Sequence, residues 1–404
     1  MGLGIRARLS AMMFLQYFVW GAWFVPFATY LTHHGLQDFV GTIYSAQGWA
    51  AIAAPLFVGT IADRYFSAEK VMGVLHLFAG ALLFVLSSIG AQASLMFLGT
   101  LGVLLAYMPS IALSNAVALN AISDTEKQFP AIRVFGTIGW IVAGLIVGAV
   151  LPGEAERTAQ PLYLAGAGSL LYGLYSFTLP NTPPRAQPQR PSVITLLGLD
   201  VLKSADRSFW VLILCSMLMM IPFAFYNVYA NPFLDSIGMN NPAAVQTMGQ
   251  VSEVGFLLLL PVFFRTVGIK GVLFIGMAAW AVRYTLFANG FTAHGPVESL
   301  VYLGLALHGV GFDFVFVAAT IWVAEHFAAE ARSRAQSFLA LMTWGVGYLI
   351  GSYAANAVQV MTGNAGSADW HSFWLLPAAF AGSIAILFLL LFRDRTNSAR
   401  KAAA

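Results

Sequence analysis

The chain has 404 residues, of which 59% are hydrophobic and only 9% are charged. A soluble domain usually carries about 25% charged residues, so this composition excludes a soluble protein and predicts an integral membrane protein. The single cysteine, Cys215, excludes an intrachain disulfide and a metal site built from cysteines alone.

Continuous apolar runs recur along the whole chain. A helix that crosses a membrane needs about 20 mainly apolar residues, and twelve runs are long enough. Because the runs are continuous rather than alternating, they predict helices and not the strands of a barrel. The predicted spans, numbered one to twelve in chain order, are 9–31, 39–61, 70–91, 95–118, 129–151, 161–179, 208–234, 243–264, 271–289, 298–323, 334–358 and 371–392.

The basic residues predict the orientation of these spans. Of the 20 Lys and Arg residues, all but Arg133, Arg157 and Arg283 lie in the N-terminal segment, the even-numbered connections or the C-terminal tail. The positive-inside rule therefore places both termini in the cytoplasm. The net charge of +3 reflects this topology and does not indicate nucleic-acid binding.

The longest polar connection is "NTPPRAQPQRPSVITLLGLDVLKSADR", which separates six spans from six. Its proline-rich beginning cannot continue a helix. The sequence therefore predicts an all-α membrane protein with twelve transmembrane helices in two six-helix bundles, residues 1–180 and 208–404, joined by a cytoplasmic linker, 181–207. Two-bundle transporters bind their substrate near the middle of the bilayer where the halves meet.

The connection between spans two and three, "GTIADRYFSAEK", resembles the loop signature of the major facilitator superfamily. We interpret Gly59, Asp63 and Arg64 as a conformational loop, in which Gly59 allows close helix approach and Asp63 caps a helix end or pairs with a basic neighbour. The alternative is an ordinary charged turn. Agreement with the twelve-span pattern favours the major facilitator fold.

Ionisable side chains predicted inside the spans mark a candidate functional site. The acids are Glu253 in span eight and Asp313, within "HGVGFDFVFVAATIW", in span ten. An acid at this depth is partnered, protonated or facing a water-filled path, and a purely structural role is the alternative. Of the two cations, Arg133 and Arg283, we expect Arg283 to reach the outer interface as an anchor, because it lies close to the end of span nine.

Helical spacing groups further polar side chains on shared faces. These groups are Arg133, Thr137 and Trp140 in span five, Asn227 and Asn231 in span seven, and Gln250 and Glu253 in span eight. Together they offer a guanidinium, a hydroxyl, amides, carboxylates and aromatic planes. Such a set suits a neutral polar ligand with hydroxyls and a stacking ring, and nucleosides and sugars both fit. An anchoring role for Arg133 and interhelical packing for a single amide are the alternatives.

From end to end the chain resembles the nucleoside:proton symporter family of the major facilitator superfamily. The stretches that carry the resemblance are "FLQYFVWGAWF", "YSAQGWAAI", "GTIADRYFSAEKV", "AYMPSIALSN", "FPAIRVFGTIGW", "TLLGLD", "GQVSE", "GFDF" and "DWHSFWL". The resemblance implies proton-coupled import of nucleosides across the cell (inner) membrane by alternating access. It implies a monomer whose partners are the nucleoside, protons and membrane lipid.

Positions that match the family's binding or coupling residues are Arg133, Thr137, Asn227, Gln250, Glu253, Phe312 and Asp313. The chain departs from the family's bacterial nucleoside carriers at Trp140, which stands in place of Phe, at Ala224, in place of Gln, and at His308, in place of Tyr. These departures leave the substrate open to a modified nucleoside. The alternative function is a proton-coupled transporter of the same fold for a sugar or another small polar ring-bearing solute. We expect Asp313 to carry the coupled proton, with Glu253 binding substrate hydroxyls and taking part in coupling.

No enzyme is predicted, because HExxH and GxSxG motifs are absent and the histidines are scattered. A GxxxxGK[ST] loop is absent as well, so ATP does not drive the transport. We therefore expect no cofactor.

Overall fold

The computed structural model describes residues 3–57, 65–184, 192–363 and 369–393. This part of the chain is almost entirely helical. Its strands form one short hairpin, in which Phe291–Thr292 pairs antiparallel with Gly295–Pro296. The predicted conformational loop, Gly59, Asp63 and Arg64, lies outside the described residues.

The helices of the first half follow the predicted spans one to six. Span one consists of Leu3–Phe24 and Phe27–His33, and the break coincides with Pro26, which has no N–H for a helical hydrogen bond. The other helices are Val40–Tyr44 and Ala46–Phe57, Ala68–Leu86, Ala93–Ala121, Thr125–Leu145 with the π-helical turn Ile146–Val150, and Gln160–Ser176. Short 3₁₀ turns lie at Gln37–Phe39 and Ala155–Arg157.

The second half begins with the short helix Val193–Leu196 and the 3₁₀ turn Leu199–Ser204. Two of its spans contain π-helical turns, Asp313–Val317 in span ten and Leu341–Gly347 in span eleven. Its helices are Arg207–Ser236, Pro242–Ala288, Glu298–Phe312 and Ala318–His326, Ala329–Ala340 and Tyr348–Met361, and Trp370–Leu391.

Within the described ranges, nine helices are long and apolar enough to cross a membrane. One of them, Pro242–Ala288, is broken at Gly268, where φ is 68°, and so supplies both span eight and span nine. Spans two and six are not among the nine, because span two is divided into Val40–Tyr44 and Ala46–Phe57 and span six, Gln160–Ser176, has only 17 residues. Large apolar side chains cover the outside of the helices, for example Leu258 with 75% and Leu390 with 72% exposure, as a lipid-facing surface requires.

The chain forms two compact units, Met1–Ser192 with Asn240–Thr247, and Val193–Met239 with Met248–Ala404. In the first unit, span one packs on spans five and six, and span three packs on spans four and six. Gly139 permits the close contact of spans five and one, since a Cβ there would lie 2.2 Å from the carbonyl oxygen of Phe14. In the second unit, span seven packs on spans eleven and twelve.

Gly198 fixes the segment that precedes span seven against span eleven. Its φ of 70° lies in the left-handed region, and a Cβ would lie 2.0 Å from the carbonyl oxygen of Arg334. Two residues later, Asp200 accepts a hydrogen bond of 2.6 Å from Arg334. The backbone contact of Gly198 and the ion pair of Asp200 with Arg334 therefore both hold this segment in the second unit.

We expect Gly198→Ala to destabilise the protein much more than Gly238→Ala. Both glycines have a positive φ, but a Cβ at Gly238 would meet nothing within 4 Å. Gly238→Ala therefore costs only the left-handed conformation, about 1–2 kcal/mol, whereas Gly198→Ala adds a collision with the backbone. Thermal unfolding of the two variants in detergent measures the difference, and equal unfolding temperatures would contradict the close contact.

Candidate functional site

Arg133 lies in an aromatic environment in the first unit. Its guanidinium carbon is 4.1 Å from the ring centre of Tyr17 in span one, a geometry that favours a cation through the π face of the ring. Trp140, two turns further along span five, places its ring 5.3 Å from that of Trp20 at 75°. Arg133, Thr137 and Trp140 are all half-buried. The predicted face of span five therefore meets an aromatic face of span one.

A buried polar network, which the sequence analysis missed, connects four spans of the same unit. The Nδ1 of His76 is 3.0 Å from the hydroxyl of Ser169, and its Nε2 is 2.9 Å from that of Ser110. Gln16 donates to the same Ser110 hydroxyl at 2.9 Å. Both serine hydroxyls also donate their own protons to carbonyl oxygens, Ser169 to that of His76 at 2.8 Å and Ser110 to that of Tyr107 at 2.6 Å.

This network supports the aromatic face through Tyr107. The Tyr107 hydroxyl donates to the carbonyl oxygen of Gln16, and its ring lies 5.6 Å from His76 and 5.4 Å from Trp20. Hydrogen bonds to buried groups hold both partners in place, because leaving either one unpaired is costly. The position of Trp20, and with it that of Trp140, thus depends on the buried polar groups behind it.

The prediction that Arg283 anchors span nine at the interface is wrong, because its side chain is fully buried in the second unit. Its guanidinium carbon lies 3.5 Å from the ring centre of Tyr226, 4.9 Å from that of Trp280 and 5.3 Å from that of Phe287. These ring faces stabilise the cation within the protein. A signal was present in the sequence, since Trp280 and Phe287 stand three residues before and four after Arg283, on the same helix face.

His308 lies between Arg283 and Glu253. Arg283 donates from Nη1 to the Nδ1 of His308 at 2.8 Å. Because a guanidinium can only donate, Nδ1 is the acceptor, and the proton of the neutral imidazole lies on Nε2. That Nε2 is 4.0 Å from the carboxylate of Glu253. His308 thus presents an acceptor to the cation and an N–H towards the acid.

Asp313 is fully buried, and neither of its carboxylate oxygens has a hydrogen-bond partner in the described part of the chain. An isolated carboxylate in such surroundings is so costly that the uncharged, protonated form is favoured. One turn before Asp313, Gly309 donates its N–H to the Ser252 hydroxyl at 3.0 Å, which brings span ten against span eight beside Glu253. The second unit therefore holds a protonatable acid close to a second acid.

The backbone at Asp313 is π-helical, which the sequence analysis did not predict. The N–H of Ala318 donates to the carbonyl oxygen of Asp313, five residues earlier, instead of four as in an α-helix. Tyr348 makes the same kind of bond to Thr343 at the end of the π-helical turn in span eleven. Such turns are rare and occur frequently at functional sites.

The remaining predicted residues of the second unit surround this group. Phe312 lies with its ring 5.7 Å from His308 at 24°, a stacked arrangement. Asn227 accepts a hydrogen bond of 2.5 Å from the Tyr348 hydroxyl, and Gln250 is half-buried one turn before Glu253. Ala224 is fully buried against span eleven. A Cβ added to Gly351 of that span would lie only 2.8 Å from the Cβ of Ala224. The small side chain at 224 therefore serves the close packing of spans seven and eleven.

The helical membrane fold and the buried polar groups in both units define a multi-pass membrane transporter. A family model described as nucleoside H+ symporter matches residues 3–397. The transporter YegT of Escherichia coli (strain K12) is 39% identical over 405 residues, which are 97% of this chain and 94% of YegT. The xanthosine permease of the same organism is 34% identical over 413 residues, with 97% and 96% covered.

A solved structure of a nucleoside transporter also matches this chain over almost its whole length. The crystal structure of the nucleoside transporter NupG matches with a TM-score of 0.87 and 30% identity, covering 97% of this chain and all of that one. The chain therefore belongs to the nucleoside H+ symporter family. This confirms the predicted family, the major facilitator fold and proton-coupled nucleoside transport. Peptide transporters at 12% identity and a TM-score of 0.73 share the fold alone.

Proposed function

We propose that this protein imports nucleosides together with protons across the cell (inner) membrane by alternating access, as a monomer with both termini in the cytoplasm. Membership of the nucleoside H+ symporter family supports the substrate class and the coupling ion. Relatives described as a xanthosine permease and a nucleoside transporter favour nucleosides over sugars. The distribution of Lys and Arg supports the orientation of the termini.

The side chains that we propose to bind the nucleoside combine hydrogen-bonding groups with ring faces. A nucleoside needs both, because its sugar presents hydroxyls and its base presents a flat aromatic surface. Polar groups in a mainly apolar site fix the orientation of a ligand and give specificity. The proposed binding residues are Arg133, Thr137 and Trp140 in the first unit, and Asn227, Gln250, Glu253, His308 and Phe312 in the second.

The observation that carries the coupling proposal is the burial of Asp313 without a hydrogen-bond partner among the described residues. A protonated acid in this position is neutral, whereas the ionised form is strongly disfavoured by burial. Binding and release of a proton therefore change the free energy of the conformation that buries Asp313. Glu253, near His308, is the second acid that we assign to coupling. Proton loading from outside then favours closure around the nucleoside, and proton release inside resets the carrier.

The driving force is sufficient for concentrative uptake. One proton that crosses a potential of 100 mV supplies about 2.3 kcal/mol. Since about 1.4 kcal/mol corresponds to a factor of ten, this energy supports roughly 50-fold accumulation of a neutral nucleoside.

The test is the internal pH of proteoliposomes that contain the purified protein and a trapped pH-sensitive dye. We expect acidification after external addition of uridine or adenosine, and none after addition of a hexose. Protein-free liposomes and a protonophore are the controls. Acidification with the hexose alone would replace the nucleoside by a sugar, and a constant pH with all three solutes would contradict proton-coupled nucleoside import.

A further inference from the structure

An open cavity of about 230 Å³ lies between spans ten and eleven of the second unit. Both π-helical turns of the second unit contribute to its wall. Asp313–Val317 contributes Phe316, and Leu341–Gly347 contributes Thr343 and Trp344. Phe312, one residue before the first π-helical turn, completes the aromatic side. The two irregular turns of the second unit thus face the same space.

Three aromatic rings in the wall are held at an angle to one another. The ring centre of Trp344 is 6.3 Å from that of Phe312 and 6.4 Å from that of Phe316, with interplanar angles of 56° and 42°. Phe223, which is buried, touches all three from behind, at 6.0 Å, 5.8 Å and 5.6 Å from Phe312, Phe316 and Trp344. This support fixes the ring orientations, so the cavity offers a ready-made surface for a flat aromatic group.

The wall contains few polar groups, so the hydrogen-bond donors and acceptors that remain free for a ligand can be counted. The hydroxyls of Thr320 and Thr343 donate to carbonyl oxygens of their own helices at 2.9 Å and 2.7 Å. Gln336 donates from Nε2 to the carbonyl oxygen of Thr320 at 2.7 Å, which leaves its Oε1 as an acceptor. The indole N–H of Trp344 makes no hydrogen bond to any described residue. The cavity therefore offers ring faces, two donors in the second Nε2 hydrogen of Gln336 and the indole N–H of Trp344, and acceptors in the Oε1 of Gln336 and the two threonine hydroxyl oxygens.

We propose that this cavity holds the base of the transported nucleoside, stacked on Trp344, and that Trp344 and Gln336 help to determine which base is accepted; this rests on the proposed function. A volume of about 230 Å³ is large enough for a heterocyclic base, and because the cavity is open the sugar can extend beyond it. A heterocyclic base carries ring donors and acceptors on its edge, which match the free groups of the wall. A lipid chain has neither and is the occupant that the test distinguishes.

The test is equilibrium binding of radiolabelled adenosine to the purified full-length protein in detergent, with adenine and ribose as competitors. Trp344→Ala removes the stacking surface, and we expect adenosine binding to weaken by about 5- to 150-fold, the range for stacking of one base on an aromatic side chain. The inhibition constant of adenine should rise with it, while that of ribose stays the same. Trp344→Phe keeps an aromatic ring and should weaken adenosine binding less than Trp344→Ala.

Trp210→Ala is the matched control, since this tryptophan belongs to the same unit, is 45% exposed and lies outside the cavity wall. If Trp344→Ala unfolds, the test relies on Trp344→Phe and Gln336→Leu, each of which removes one hydrogen-bonding group and should weaken adenosine binding about fivefold. Unchanged adenosine binding in these variants, or equal losses for adenine and ribose, overturns the inference. Failure of the wild-type protein to bind any nucleoside overturns the proposed function instead.

Discussion

Asp313→Asn should abolish accumulation of nucleoside while it leaves the protein folded. Asparagine has the size of protonated aspartic acid but cannot release a proton, so the carrier remains in the loaded form. In proteoliposomes with an imposed proton gradient, the ratio of internal to external nucleoside should fall from a value well above one to about 1, because nothing then drives a neutral solute. Exchange of labelled for unlabelled nucleoside, which needs no net proton movement, should continue.

Asp369→Asn is the control for this experiment. Asp369 lies at the start of span twelve, where the hydroxyl and the backbone N–H of Ser372 lower the pKa of its carboxyl group. It is therefore ionised at neutral pH and carries no proton, and asparagine is an equally good N-cap. Accumulation should be normal in this variant. If Asp313→Asn also accumulates nucleoside against a gradient, Asp313 is not the coupling acid.

Arg283→Lys should cause the largest loss of stability among charge-preserving substitutions. Lysine keeps the positive charge but lacks the planar group that lies 3.5 Å from the Tyr226 ring centre and donates to His308. A desolvated cation–π contact contributes about 2 kcal/mol, and a hydrogen bond from a charged group adds about 1.5–3 kcal/mol. We therefore expect the free energy of unfolding to fall by about 3.5–5 kcal/mol. Uptake should fall as well, because His308 loses the donor that fixes its ring.

Equilibrium unfolding in mixed detergent micelles measures this change. Arg157→Lys is the control, since Arg157 pairs with Glu154 at the surface and both side chains are partly exposed. An exposed ion pair contributes about 0–1 kcal/mol, so this control should be close to the wild-type protein. Equal effects of the two substitutions would mean that the aromatic surroundings of Arg283 contribute little.

The spans were predictable because lipid imposes a simple rule on every helix that crosses it, namely about 20 apolar residues. The same rule marked Asp313 as an exceptional residue, but it left open whether the acid is partnered, protonated or facing a water-filled path. The error at Arg283 has a clear cause: counting residues gives the depth of a side chain, but not the direction in which it points. The rings of Tyr226 and His308 that receive Arg283 come from spans seven and ten, so their proximity depends on packing that no local pattern contains.

The internal arrangement of the sites could not be predicted from the sequence, for similar reasons. The hydrogen bonds of His76 join residues that are 34 and 93 positions apart in the chain. The cavity beside Trp344 depends on two π-helical turns, and their hydrogen-bond pattern has no residue signature comparable to a helix cap. The assignment of Phe312 to the substrate came from the family resemblance, and that of Trp140 came from its helical spacing to Arg133 and Thr137. Both roles stay predictions.

The π-helical turn at Asp313–Val317 also limits how the length of span ten can change. A π-helical turn holds one residue more than an α-helical turn, so it is equivalent to a single-residue insertion. Deleting one residue within the turn would restore a regular α-helix and leave the residues on either side facing nearly the same directions, whereas deleting a residue of the α-helical part that follows would rotate everything beyond it by about 100° with a shift of about 1.5 Å along the axis. Only the second deletion would change the direction of the buried Trp322 relative to Phe312. Homologous sequences that lack the turn should therefore differ from this chain by a gap of one residue at this place.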